Sequence, residues 1–171
     1  MAVELVKATI KDAEQISELA DIIWHQHYSS IISIKQITYM LDMMYSREAL
    51  QKQMGDKKHS FYLIKNSGKV IGFISTSEVE NAKDSYFIHK FYILQDIAAK
   101  GIGTQAFFEL VRILKPEELR LTVNRKNFKS INFYFKNNFK IESVADFDIG
   151  NGYIMNDFVM VWRFDKLSDQ R

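Results

Sequence analysis

Residues 91–110 read FYILQDIAAKGIGTQAFFEL. An apolar, aromatic run gives way to a glycine-bearing loop, which leads at once into residues 104–114, where Ala106, Phe107, Leu110, Val111 and Leu114 recur at helical spacing. Pro116 closes that helix. A loop between a strand end and a helix start turns several backbone N–H groups toward one point. Together with the positive end of the helix dipole they make an anion site, for which phosphate is the natural ligand. Gly101 and Gly103 let the backbone approach without a Cβ collision, and Lys100 adds a cation. The same glycine pair also occurs as a plain turn, so the loop alone leaves both readings open. No Gly-Lys-Ser/Thr follows, and the strands before the loop read as antiparallel, which counts against a P-loop and a dinucleotide fingerprint.

Outward from the loop, residues 86–94 form the strand that feeds it, and residues 60–65 and 70–77 form two more. Asn66, Ser67 and Gly68 join those two as a tight hairpin, and residues 81–84 make the next turn. Nearer the N-terminus, residues 3–8 alternate as a short strand. Ile16, Leu19, Ala20, Ile23 and Trp24 then make one apolar stripe on a helix over residues 13–28. Residues 34–54 read as one helical region or two, rich in Met and Tyr: ordinary core packing or an adaptable pocket wall. Downstream come a strand over 119–123, a helix over 128–138, a strand over 139–147, a turn at Gly150-Asn151-Gly152, a strand over 152–164 and a frayed tail from 165 to 171.

A chain of 171 residues with 47% hydrophobic and 26% charged residues fits one domain, 1–171, large enough to bury a core without a disulfide or a metal staple. With no cysteine, thiol nucleophiles, redox chemistry, zinc fingers and iron–sulfur clusters drop out. His25 and His27 lie two apart and do not share a helix face, so no metal site is expected. Charges interrupt the N-terminal apolar runs, and no run approaches a membrane span, which sets a cytoplasmic location and no membrane partner as the expectation. The net charge of +2 is spread along the chain, so Lys57, Lys58, Arg125, Lys126 and Lys129 read as a solvated face and nucleic acid is not expected as a partner.

The loop resembles the acyl-donor motif of the GNAT superfamily of acetyl-CoA-dependent N-acetyltransferases: Arg or Gln, two residues, Gly, one residue, then Gly or Ala. Ala98 stands where Arg or Gln is usual, while Gly101 and Gly103 keep the glycine positions. A second match is VNRKNFKSINFYFKNNFK, in which Asn127, Ser130 and Tyr134 take the places of the family's Asn, its small residue and its Tyr, and Asn138-Phe139 replaces Gly-Phe. Ser130 and Tyr134 are four apart and share a helix face. The resemblance spans Glu4 to Trp162. It implies an α/β (α+β) acyl-CoA N-acyltransferase fold, a mixed, mostly antiparallel sheet of about seven strands flanked by helices. Within the superfamily, Trp24, Tyr39, Met40, Met44 and Tyr45, IGFIS at residues 71–75 and the closing YIMNDFVMVW are similar to the PaiA-type spermine/spermidine acetyltransferases.

The resemblance implies acetyl-CoA as cofactor, held by Tyr92, Ile93, Leu94, Ala98, Ala99, Lys100, Gly101, Ile102, Gly103 and Thr104, with Asn127, Ser130 and Tyr134 along the pantetheine arm. Tyr134 would protonate the leaving thiolate, and the Ile93 or Leu94 N–H would face the thioester carbonyl. The partner is then a small-molecule amine, a polyamine such as spermidine or spermine as the specific expectation, and the assembly a homodimer. Direct amine attack needs no covalent protein nucleophile, which agrees with the missing cysteine and the missing Gly-x-Ser-x-Gly elbow. For the general base, His89, with an ordinary pKa near 6.5, competes with Glu78 and Glu80. A cationic acceptor calls for carboxylates and aromatics: Asp42, Glu80 and Asp157, with Trp24, Tyr28, Tyr39 and Tyr45. The competing reading is a catalytically inactive CoA-binding regulatory or structural protein of the same fold.

Overall fold

The computed structural model describes residues 3–97 and 101–165. Residues group into two units, Met1–Ser77 with His89–Ile113, and Glu78–Ile88 with Leu114–Arg171.

The first unit opens with β1 (Val3–Lys7), which pairs antiparallel with β2 (Ser60–Asn66), Val3 facing Asn66 and Lys7 facing Tyr62. Thr9 and Asp12 form a capping box around a single 3-10 turn, and α1 (Ala13–Tyr28) follows with the bounds the apolar stripe predicts. The stripe is the buried face: Ile16, Leu19, Ala20, Ile23 and Trp24 are all in the core. The region read as one helix or two is α2 (Ile34–Tyr45) and α3 (Arg47–Met54). Ser46 divides them, because its extended backbone breaks the helix while its hydroxyl accepts from the Ala49 N–H and starts the next. Between β2 and β3 (Lys69–Glu78), Ser67 and Gly68 both have positive φ (51° and 79°), the backbone of a two-residue hairpin turn. The unit also holds the second half of β4 (Ser85–Ile93) and α4 (Ile102–Leu114), whose Ile102, Ala106, Phe107 and Leu110 are buried.

The second unit is built on the first half of β4 and on β5 (Glu118–Asn124), which run parallel from Ser85↔Glu118 to Ile88↔Leu121. After α5 (Phe128–Lys136) come β6 (Lys140–Gly150) and β7 (Tyr153–Arg163), an antiparallel hairpin turning on Gly150, Asn151 and Gly152, all at positive φ. β7 lies between β5 and β6, and Arg120 and Arg163 bind Glu118 and Glu142 across these strands. Strands hydrogen-bond in the order β1-β2-β3-β4-β5-β7-β6 in a mixed seven-stranded sheet, with β4 and β5 parallel and β1/β2, β2/β3, β5/β7 and β6/β7 antiparallel, accompanied by five α-helices among the described residues. Boundaries move little from those expected: α4 begins two residues earlier, and α5 ends at Lys136 instead of 138. No helix among the described residues is long and apolar enough to cross a membrane.

Candidate active site

Glycine-rich turns and helix starts are useful to a ligand only where the backbone stays open, and Gly101 meets that condition. Its φ is 75°, a conformation L side chains rarely adopt, and a Cβ built on it would meet no atom within 4 Å among the described residues beyond its chain neighbours. Its carbonyl accepts from Gln105 N at 3.0 Å, the first bond of α4, so the N–H groups of Ile102, Gly103 and Thr104 belong to the first turn, which has no carbonyl within the helix to serve. Those amides and the dipole of a 13-residue helix suit a diphosphate. Ala98, Ala99 and Lys100, the other residues assigned to this cradle, lie outside the described residues.

At the end of β4, Leu94 N donates to Ile71 O at 2.9 Å, so of the two amides expected at the thioester carbonyl, that of Leu94 is already engaged. Ile93 is held by a residue whose part sequence reasoning missed. A Cβ on Gly72 would lie 2.9 Å from Ile93 Cα, 3.1 Å from Tyr92 C and closer still to Tyr92 O. Only glycine lets β3 come this near the backbone of Tyr92 and Ile93. The IGFIS run carried the signal, an isolated glycine inside an apolar strand.

Tyr92 also belongs to an aromatic cluster. Trp24 packs on Tyr28 at 4.5 Å between ring centroids, on Tyr92 at 6.0 Å and on Tyr45 at 6.1 Å, and Phe73 lies 5.7 Å from Tyr92. Trp24 Nε1 donates to Tyr45 Oη at 3.2 Å, while the hydroxyls of Tyr28 and Tyr92 meet at 3.5 Å. Trp24 and Tyr45 are 2% and 1% exposed, so both are core side chains, and burial pushes the Tyr45 phenol far above its usual range. Half-buried Tyr92 is the member nearest solvent. Tyr39 is half-buried and Asp42 exposed.

His89 lies against a neighbour distant in sequence. Its ring stacks on His59 at 3.9 Å and 13°, and its Nε2 shares a hydrogen bond of 2.7 Å with Ser77 Oγ. Burial first, then the charges of His59, Lys90 and Lys57, push it down to about 3, and burial with the two lysines pushes His59 down to about 4. At neutral pH His89 is an uncharged imidazole with little affinity for a proton, which weakens it as a base. Lys90 beside it is buried, gives its ammonium to Gln53 Oε1 at 2.6 Å, and lies over the rings of Tyr45 and Phe61. Burial pushes it down to about 8.

In the second unit, Asn127 caps α5: its Oδ1 accepts from Ser130 N at 3.2 Å, and its own N–H donates to Asn124 O at 2.9 Å. One helix turn after Ser130, Tyr134 is 8% exposed and meets the edges of Phe133 and Phe139, each at 5.3 Å. Asn138, which replaces the family's glycine, has φ 67°, so it keeps the left-handed backbone that glycine would supply. Glu78 and Glu80 are exposed at the hairpin end. Asp157 on β7 is 5% exposed, and burial, opposed by Thr122 and Arg125, pushes its carboxyl up to about 6. Among the described residues no group of three or more His, Asp or Glu is placed to hold a metal ion.

Residues 16–139 match the family model described as "Acetyltransferase (GNAT) family". A spermidine N(1)-acetyltransferase of Thermoplasma acidophilum is 29% identical over 162 residues, 91% of this chain and 96% of that one. The crystal structure of PaiA N-acetyltransferase from the same organism, in complex with coenzyme A, is 27% identical with a TM-score of 0.78, covering 96% of this chain and all of that one. An acetyltransferase from Thermus thermophilus shares the fold at 15% identity, with a TM-score of 0.70 and 96% and 98% coverage. A strand, an open glycine turn and a capped tyrosine helix in this order, with a family match over most of the length, lead to one conclusion: the chain belongs to the GNAT family of acetyltransferases.

Proposed function

We propose that the protein, a single domain over residues 1–171, moves the acetyl group of acetyl-CoA to a primary amine of a small molecule, a polyamine such as spermidine or spermine, by direct transfer in a ternary complex. The observation that carries this reading is the start of α4, where the left-handed Gly101, with no crowding from the described residues, precedes three first-turn amides. When bound, the donor supplies an acetyl group activated as a thioester. The amides of Gly101 to Thr104, with Ala98, Ala99 and Lys100, hold its diphosphate, and Asn127 and Ser130 line its pantetheine arm. Tyr92 and Ile93 line its reactive end, where the Ile93 N–H receives the charge that develops on the carbonyl oxygen. Tyr134 gives its phenolic proton to the departing sulfur from a buried position against Phe133 and Phe139.

For the acceptor, Tyr28 and Tyr92 offer aromatic edges to methylenes, and Tyr39, Asp42 and Glu80 supply polar contacts at the surface. Trp24 and Tyr45 act from behind, as the packing that sets Tyr28 and Tyr92 in place. His89 and Glu78 were the expected bases; Glu78 is solvated and His89 binds a proton only under acid conditions. Exposed Ile141, Val144 and Phe147 on the edge strand β6 support a homodimer, and a cytoplasmic location belongs to the same reading. The test is acetylation by the purified chain of spermidine, spermine, simple diamines, aminoglycosides and short peptides. Transfer to polyamines above the other classes supports the reading. Coenzyme A binding with no transfer to any of them would instead make the protein an inactive member of the fold.

A further inference from the structure

Asp157 stands apart from every other carboxylate in the structure. It is 5% exposed, and its Oδ1 is the one buried carboxylate oxygen without a hydrogen-bond partner among the described residues. The other acidic candidates are solvated or already paired: Asp42, Glu78 and Glu80 are exposed, and Asp146 is bound to Arg125 at 2.7 Å and to Asn156 at 2.8 Å. A buried, unpaired oxygen costs stability, and such a cost persists where the group has work to do.

Its position is tied to the helix that carries Tyr134. On β7, Asp157 faces Asn124 of β5 on one side and Ala145 of β6 on the other. Asn124 accepts the Lys126 N–H on its side chain and the Asn127 N–H on its carbonyl, and so forms the turn from which α5 starts. Asp157 is therefore one strand away from the residue that sets the entry of α5. The groups that act on it come from both neighbouring strands: the Thr122 hydroxyl on β5, the Arg125 guanidinium just after β5, and the Asp146 carboxylate on β6.

We infer that Asp157, on the acetyl-transfer reading above, is the catalytic base: it takes the proton of the acceptor ammonium and leaves a neutral amine to attack. A polyamine arrives as R–NH3+, whose nitrogen has no free electron pair. Proton transfer to Oδ1 gives R–NH2 and a neutral Asp157. The nitrogen lone pair then forms the C–N bond as the C–S bond breaks, a second N–H proton balances the thiolate by way of Tyr134, and Asp157 returns its proton to water. Net, one ammonium and one thioester give one amide, one thiol and one released proton. Desolvation sets the group near 6, which leaves it ionised at neutral pH yet far more basic than an exposed aspartate. Sequence reasoning had placed Asp157 among the carboxylates that hold the acceptor; its burial and unpaired oxygen give it this further role.

The test compares a strongly basic acceptor, spermidine, with a fluorinated alkylamine that is already largely neutral at the assay pH. In the wild-type protein, kcat/KM for spermidine should show an acid limb with a midpoint near 6, whereas the neutral amine, which needs no base, should fall only with its own protonation, and the 13C signal of one Asp carboxyl should titrate near 6 in the free protein. Asp157→Asn should lose that carboxyl signal and the limb, and should lower kcat/KM for spermidine about 100- to 1000-fold. For the neutral amine the loss should be less than about tenfold, with coenzyme A affinity unchanged. Equal losses on both amines would make Asp157 a structural residue and overturn the inference. So would a spermidine profile without an acid limb near 6, or a carboxyl that titrates in the range of exposed aspartates; both are read on the wild-type protein and hold even if the variant does not fold. Absence of transfer by the wild-type protein would overturn the acetyl-transfer reading itself, while the carboxyl titration would still report on the burial of Asp157.

Discussion

Replacing Gly72 by alanine is the sharpest single perturbation of the fold that carries the site. The new Cβ would lie 2.9 Å from Ile93 Cα and 3.1 Å from Tyr92 C. Ordinary carbon contacts begin at about 3.5 Å and the Tyr92 carbonyl oxygen lies nearer still, so β3 and the end of β4 must part by roughly 1 Å. Backbone cannot rotate aside as a side chain would, which puts the overpacking cost near the upper end of its usual range, about 3 kcal/mol. Removing a strand glycine returns roughly 0.5–1 kcal/mol through the unfolded chain. The net loss is about 2 kcal/mol, and for a chain of this size that lowers Tm by roughly 4–8 °C. The same displacement carries Tyr92 and the Ile93 amide, and a misplacement of about 1 Å at a reacting centre can cost about 100-fold in rate. Thermal unfolding monitored by circular dichroism, paired with steady-state acetylation, reads both effects. A Gly72→Ala protein with an unchanged Tm and unchanged kcat would refute the claim that this contact positions the site.

Two further outcomes follow from the same geometry. Tyr134→Phe keeps the packing against Phe133 and Phe139 but removes the phenolic proton, so kcat should fall about 100- to 1000-fold while coenzyme A affinity, measured by calorimetry, stays within about twofold; an unchanged kcat would remove Tyr134 as the acid. The stacked histidines set an acid limit on stability. His59 and His89 take up protons near 6.5 when unfolded but only near 4 and 3 when folded, so the unfolded chain binds more protons between those values. The stability they leave intact above pH 6.5 is lost progressively as pH falls from about 6.5 toward 3. Urea midpoints should drop through that window, and His89→Gln should flatten the drop. A midpoint independent of pH between 7 and 4 would contradict the burial of the pair.

What could be read from the chain and what could not divides along one physical line. Local patterns were legible: the bounds of α1 follow from its 3.6-residue stripe, and the hairpin at Ser67-Gly68 from residues that tolerate positive φ. The Gly101 turn was legible for the same reason, since a glycine between a strand and a helix states its own conformational need. Ser46 was not recognised as a divider, because a serine inside an apolar periodic run reads as an exposed helix position until its backbone is seen to be extended. Features made by chain segments meeting across the sheet stayed hidden. Gly72 is required by the backbone of Tyr92 and Ile93, twenty residues on, and the His59–His89 stack joins residues thirty apart. His89 looked suited to proton transfer because composition gives its ordinary basicity, whereas burial decides the real one. Asp157 was one of several equal carboxylates in the chain, and only desolvation on β7 separates it from Asp42 and Glu80.

All the chemistry proposed above depends on the amides that follow Gly101 holding the diphosphate of coenzyme A. Titrating coenzyme A into 15N-labelled protein, and following the backbone amides of Gly101, Ile102, Gly103 and Thr104, reads that contact without recourse to activity. Saturable shifts are expected at these amides, among the largest in the spectrum, and they should be lost when pantetheine without the diphosphate replaces the full ligand. Binding that leaves these four amides unmoved, or no binding at millimolar ligand, would contradict it.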